Sequence, residues 1–190
     1  MTMKKAHGMK PIVFALAAVA AIMSIQMPCP VIADDTMVTQ ETLLDRIQIE
    51  DLLIRYYAGL SSGSGHDLAA FFTVDAILDV NGMISEGRDA IEKLYAGLGE
   101  GGTVGQSGKM HMLLNNPVIH IKGDTAKAWL IWTGVMNDNV RMAPRLLEQG
   151  REYTELVKLK GRWFIKKRYI TADSGMPALW DSTYKPREHP

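Results

Sequence analysis

IEDLLIRYYAGLSSGSGHDLAAFFTVDAILDVNG, residues 49–82, changes its hydrophobic period partway along, and that change decides the fold. Ile49, Leu53, Tyr56 and Leu60 recur at i, i+4, i+7 and i+11 and line one face of a helix. Asp51 and Arg55 form an i,i+4 pair on another face. Upstream, Thr39 is the expected N-cap, with Glu41 in the first turn where a helix favours negative charge. Ser61-Ser62-Gly63-Ser64-Gly65 stops this helix at about Leu60. Ser64-Gly65-His66-Asp67 then resembles a capping box and predicts a short helix over Leu68–Phe72. Ala76 to Asn81 reads as a strand, with Asn81-Gly82 as its turn.

Working outward, Ile91, Leu94, Tyr95 and Leu98 repeat at i, i+3, i+4 and i+7 and predict a third helix from about Arg88. Five glycines in 99–108 predict a mobile loop. From Lys109 the pattern turns to strands, expected over 110–122, 125–137, 150–160 and 162–172, with hairpin turns at Gly123-Asp124 and Lys160-Gly161. Asn115-Asn116-Pro117 should bulge the first of these, because proline cannot donate to a central ladder. Residues 138–149 read as a polar connection, and 173–190 as an extended tail packed by Trp180 and Tyr184. Helices followed by mostly antiparallel strands define an α+β domain, with helices across the concave side of a curved sheet and a pocket between the layers.

The first 33 residues stand apart. Lys4, Lys5 and Lys10 precede an apolar run from Ile12 to Ile25, and Val31-Ile32-Ala33 offers a small residue for cleavage. This is the pattern of a secretory leader, and the run is short for a membrane span. The expectation is an exported, periplasmic or secreted protein whose domain occupies 34–172. Cleavage after Ala33 removes three of 21 Lys and Arg and no Asp or Glu, leaving a net charge of −3 on 157 residues. Without a basic stripe, nucleic acid is not an expected partner. Nor is a membrane, once the leader is gone. The single cysteine, Cys29, leaves too, so the mature chain has neither a disulfide nor a thiol nucleophile.

Several chemistries lack their residues. Gly102 to Lys109 has the wrong glycine spacing for a P-loop, and Met110 stands where Ser or Thr is needed. His66, His111 and His120 lack metal-ligand spacing. No G-x-S-x-G elbow occurs. No metal and no cofactor are expected. Two readings stand for His111, flanked by Met110, Met112, Leu113 and Leu114: a neutral general base in an apolar pocket, or a structural imidazole bonded to a backbone carbonyl. Alternation turns Lys167 and Arg168 to opposite faces, so one basic residue points to the concave side, where it suits an oxyanion, and the other to solvent. Tyr56 and Tyr57 can donate to a substrate oxygen or simply pack. Trp129 and Trp132 fall on opposite faces of their strand, one lining the core and one suited to a subunit interface.

Residues 49–82 resemble the first third of SnoaL-like proteins of the NTF2-like superfamily. HMLLNNPVIHIKGDTA (111–126) and GREYTELVKLKGRWFIKKR (150–168) resemble the family's later strands. The resemblance covers nearly all of 40–172 and implies an NTF2-like cone with a cofactor-free proton-transfer site. It extends to a branch containing a bile-acid dehydratase, a dehydrochlorinase and scytalone dehydratase. In that branch His111, followed by Asn115, matches the base, Arg168 the nearby arginine, and Tyr56 the tyrosine of the first helix. The aspartate that should partner the base does not carry over: Ser61 stands in its place, and Val80 where ketosteroid isomerase has its own base. The expected site is therefore His111, Tyr56, Arg168 and Ser61, lined by Tyr57, Leu78, Val80, Asn115 and Trp132. The implied function is a lyase or isomerase on a hydrophobic, oxygenated small molecule. A non-catalytic binding module using the same pocket is the alternative, and a homodimer or homotrimer is expected, with Trp129 or Ile131 at the contact.

Overall fold

The computed structural model describes residues 38–61, 65–101, 108–176, 178 and 181–185. The expected leader lies outside the described residues, as do Trp180 and most of the glycine-rich loop.

Helix α1 (Leu43–Ser61) starts four residues after Thr39. Thr39 acts as expected at its threshold: its Oγ1 accepts from Thr42 N at 3.2 Å, while Thr42 Oγ1 accepts from Thr39 N at 3.0 Å. Ile49, Leu52, Leu53, Tyr56 and Tyr57 are buried, each contributing on the order of 1.5–3 kcal/mol of apolar burial. The Asp51–Arg55 pair forms at 2.7 Å on the exposed face. A 3-10 helix (Gly65–Phe71) replaces the expected α-turn, and β1 (Phe72–Val80) begins four residues earlier than the alternation indicates. Asn81 and Gly82, with φ of 51° and 89°, make the tight turn to β2 (Met83–Glu86). Helix α2 (Arg88–Gly101) runs into the stretch expected to be loop.

Four long strands follow: β3 (Lys109–Lys122), β4 (Thr125–Asn137), β5 (Arg145–Leu159) and β6 (Arg162–Ser174). β5 starts five residues before the expected position, taking up part of the supposed connection. The sheet order is β2-β1-β6-β5-β4-β3, and β1 lies parallel to β6. Local pattern gives no sign of that parallel pair. Asn81 extends it: its N–H donates to Ile170 O at 2.9 Å, and its Oδ1 accepts from Ala172 N at 2.8 Å. The β3 ladder breaks between Asn115 and Val118, where Asn116 takes a φ of 50°, as the Asn-Asn-Pro reading predicts.

Cross-strand pairing stacks the side chains into rows. On the face covered by α1 run Leu78–Arg168–Thr154–Ala128–Ile119, then Val80–Ile170–Glu152–Leu130, then Ala172–Gly150–Trp132–Leu114. On the opposite face lie Asp79–Tyr169–Tyr153–Trp129–Val118, with Trp129 in contact with His120 and Tyr153. Trp132 and Trp129 thus separate as alternation predicts. A Cβ at Gly150 would meet Trp132 Cε2 at 2.8 Å and clash with Thr171 O, so this position keeps the indole flat on the sheet.

The N-terminus of α1 is tied to the sheet by Asp45, which accepts from Lys158 Nζ at 2.6 Å and Trp163 Nε1 at 3.1 Å. The Lys158 hydrogen bond holds the Asp45 carboxyl below its ordinary value of 3.8. A depressed carboxylate stabilises the fold above its unfolded pKa and loses that contribution as pH falls through the folded one. Asp45→Asn should therefore cost about 1 kcal/mol at pH 7, and the gap from the parent should close below about pH 4 in urea melts. Gly150→Ala should cost on the order of 1–3 kcal/mol in the same measurement, because the indole and the β6 backbone cannot both yield.

Candidate functional site

The inner face carries charge where apolar packing would be expected. Arg168 and Glu152 are both essentially inaccessible to solvent, and their Nη2 and Oε2 atoms are 2.5 Å apart. Burying two charges costs several kcal/mol per ion unless geometry and further hydrogen bonds compensate. Here they do. Thr154 Oγ1 donates to Glu152 Oε1 at 2.9 Å, and the Tyr57 hydroxyl donates to Glu152 Oε2. The guanidinium lies over the Tyr56 ring, 3.8 Å from its centroid, and within 5.1 Å of the Tyr57 centroid. The Tyr56 hydroxyl in turn bonds that of Tyr95, which reaches in from α2.

These groups set one another's protonation. Burial opposes the Arg168 charge, but attraction to Glu152 outweighs it and leaves the guanidinium even harder to deprotonate. Burial, reinforced by the Glu152 charge, pushes the Tyr57 phenol well up, and burial does the same for Tyr95. Tyr56 is raised by burial against the pull of Arg168. The cluster is therefore one cation, one anion and three neutral phenols, with no net charge.

Two of the arginine's donors are unused. Among the described residues, Nε and Nη1 of Arg168 are buried without a partner, as is Nε1 of Trp132 on the same face. Buried N–H groups are nearly always paired, so three lone donor atoms on one inner face set this region apart among the described residues.

The expected residues do not all meet here. Arg168, Tyr56, Tyr57, Leu78, Val80 and Trp132 share the inner face with Glu152. His111 does not: it pairs with Val135 and is exposed, while its neighbour Met112 packs against the core. Alternation forces this correction, because adjacent strand residues point to opposite faces and only one of 111 and 112 can enter. Asn115 follows His111 outward. Its Nδ2 donates to Thr133 Oγ1 at 3.4 Å at the bulge. Ser61 ends α1, and its side chain lies outside the described atoms. Glu155, a neighbouring carboxylate on β5, is turned outward to Tyr153 and Lys167.

Sequence reading missed Glu152 and Tyr95. Parity was the available signal for Glu152: it alternates with Thr154 and Leu156 toward the core, whereas Glu155 falls outside that series. Tyr95 was visible on the apolar stripe of α2 but had no marker of a polar partner. A separate groove of about 960 Å³ lies against the outer face, lined in part by Lys122, Lys127, Val157 and Phe164. Its Lys166 is paired with Asp75, and its Arg88 holds Phe72 O. The groove's charged side chains are partnered in these two cases, whereas the buried unpaired donors lie on the inner face. Among the described residues, no group of three or more His, Cys, Asp or Glu side chains could hold a metal.

Residues 41–169 match the family model described as a SnoaL-like domain. No curated protein matches the chain. Among solved structures, it is similar to a Nostoc punctiforme protein of unknown function with a cystatin-like fold: TM-score 0.61, 19% identity, covering 70% of this chain and 95% of that one. A scytalone dehydratase-like protein from Novosphingobium aromaticivorans gives 0.59 and 21%, covering 72% and 89%. A Mycobacterium tuberculosis protein of unknown function gives 0.59 and 20%, covering 70% and 74%. At these identities the likeness concerns the fold: two helices on a curved, mostly antiparallel six-stranded sheet.

Removing one member of the buried pair should expose its cost. Glu152→Gln leaves the arginine uncompensated and should lose about 3–5 kcal/mol in chemical denaturation. The paired replacement Arg168→Met with Glu152→Leu should recover most of that loss.

Proposed function

Because this chain belongs to the SnoaL-like family, whose members bind small hydrophobic ligands and include dehydratases and cyclases, we propose that it is a cofactor-independent lyase or isomerase. It acts on a hydrophobic, oxygenated small molecule held against the inner face of the sheet. One observation carries the reading: a fully buried arginine is locked on one side by Glu152 while Nε and Nη1 have no acceptor. Donors fixed in a dry site stabilise negative charge that develops on a substrate oxygen far better than the same donors in water. Tyr56 and Tyr95, kept protonated by burial, hydrogen-bond each other and leave one hydroxyl hydrogen to donate beside them.

Charge balance narrows the ligand. Arg168 is already neutralised, so a carboxylate brought to it would add an unpaired buried charge. A ketone or enone brings no charge in the ground state and develops one only as a proton leaves carbon. The apolar side chains Leu78, Val80, Leu130 and Ile170 surround this polar core and suit the hydrocarbon part of such a molecule. The leader supports an exported location, with the mature chain beginning at Asp34, and the outer-face residues Trp129 and Ile131 suit a self-association contact.

A hexahydronaphthalenone, a neutral bicyclic enone, serves as the probe, with tryptophan fluorescence as the readout. Arg168→Lys keeps the charge but loses the planar fork of donors. It should weaken probe binding by about tenfold, equivalent to roughly 1.4 kcal/mol, with the far-ultraviolet circular dichroism unchanged. Equal binding by parent and variant would remove the arginine from the site. Tighter binding of a bicyclic carboxylate than of the enone would refute the charge argument.

A further inference from the structure

Three acidic side chains project from β5, and they are not equivalent. Glu155 faces outward and is held by Tyr153 and Lys167. Glu152 faces inward and is held by Arg168, Tyr57 and Thr154. Its two oxygens already hold three hydrogen bonds. Glu148 shares the parity of Glu152 and Gly150, and its row reads Glu148–Gly134–Met112 across β5, β4 and β3. It is half-buried and makes no hydrogen bond or ion pair among the described residues.

The fold makes room for this side chain. A Cβ at Gly134 would stand 2.7 Å from Glu148 Cγ, so the glycine lets the carboxylate stem lie down across the sheet. One row further in, Gly150 does the same for the indole of Trp132, whose Nε1 has no partner. From the other side, the chain at Gly175 closes on the Glu148 backbone, with a Cβ there only 2.7 Å from Glu148 Cα. The groups facing Glu148 by register are thus Met112 from β3, Gly134 from β4 and Gly175 after β6, none of them titratable. The next charges inward are Arg168 and Glu152, which neutralise each other. Burial alone raises the Glu148 carboxyl above its ordinary 4.5, toward the range where a base works at neutral pH.

We propose that Glu148 is the catalytic residue that moves protons at this site, acting on a neutral enone whose oxygen points inward to the unpaired donors. The assignment rests on the reading of the inner face as a site for neutral oxygenated ligands. Glu148 and Glu152 are four residues apart on one strand, about 13 Å, and the Trp132 indole lies over Gly150 midway between them. In this pose the enone's carbonyl points to the unpaired donors and a γ C–H faces Glu148. The carboxylate takes this proton, and the C–H electron pair becomes the new C=C bond. The conjugated π electrons shift so that the carbonyl pair moves onto oxygen, where the N–H donors hold it. Glu148, now a carboxylic acid, returns the proton to a different carbon, giving an isomer. With a β-hydroxy ketone in place of the enone, Glu148 takes the α C–H proton, whose electron pair forms the enolate; the resulting carboxylic acid protonates the β-hydroxyl, which leaves as water with the C–O pair while the oxyanion collapses to the enone.

The test follows deuterium incorporation at the γ carbon of the hexahydronaphthalenone in D2O by NMR, with binding measured separately by tryptophan fluorescence. The full chain should catalyse exchange. Glu148→Gln should lose at least about a hundredfold of that rate while its Kd stays within about threefold and its melting curve is unchanged. Glu148→Asp should recover part of the rate. The acidic limb of the parent's rate profile should lie above pH 4.5, since the base form is lost as pH falls through a raised pKa. Exchange by Glu148→Gln at the parent rate overturns the assignment, as does a parent that binds the enone without exchanging it. A parent that neither binds nor exchanges overturns the ligand reading itself, and this assignment with it.

Discussion

A guanidinium and a carboxylate, 2.5 Å apart and wholly removed from water, impose the main constraint on this molecule. An isolated ion in such a place would neutralise or unfold its surroundings. The pair persists because two strands and two helices converge on it: Arg168 from β6, Glu152 and Thr154 from β5, Tyr56 and Tyr57 from α1, and Tyr95 from α2. The register of β5 against β6 sets the pair, and the docking of α1 seals it. A slip of one residue in that register would put Arg168 and Glu152 on opposite faces and leave each charge without the other.

The same pair explains why this interior suits chemistry better than a plain apolar core would. Replacing a buried ion pair by hydrocarbon is often neutral or stabilising, so stability alone is a weak reason for keeping one. What the pair provides is an arginine that is charged, immobile and only partly used. Aromatic rings on two sides prevent it from swinging away, and the neutral phenols add donors without adding charge. Fixed donors of this kind favour a state in which negative charge grows on oxygen.

Glycine placement extends the pattern toward the wide end of the sheet. Gly134 and Gly150 occupy inner-face positions where neighbouring rows carry larger side chains, and each leaves space for a functional group from the next strand, Glu148 and Trp132 respectively. The inner face thus grades from a charge-balanced polar centre, past an indole, to a carboxylate with no partner. The outer face, with its paired lysines and aromatic row, shows no comparable set of unsatisfied buried groups among the described residues.

The sequence by itself determined much of this. Period 3.6 through Leu60 and period 2 from Lys109, with Asn81-Gly82 and Lys160-Gly161 as turns, were enough for the α+β class and the order of the main elements, because local periodicity and turn chemistry act over a few residues. Alternation also separated Trp129 from Trp132 and Arg168 from Lys167. Position in the tertiary structure decided the rest. His111 looked like the base because apolar neighbours suggested a pocket, yet the phase of β3 turns Met112 inward and leaves the imidazole exposed. The parallel β1–β6 pairing, the partnership of residues 152 and 168, and the meeting of Tyr56 with Tyr95 join positions far apart in the chain. No local pattern encodes such contacts: which face of a strand is buried, and what lies across from it, depends on how the whole sheet curls and where the helices dock.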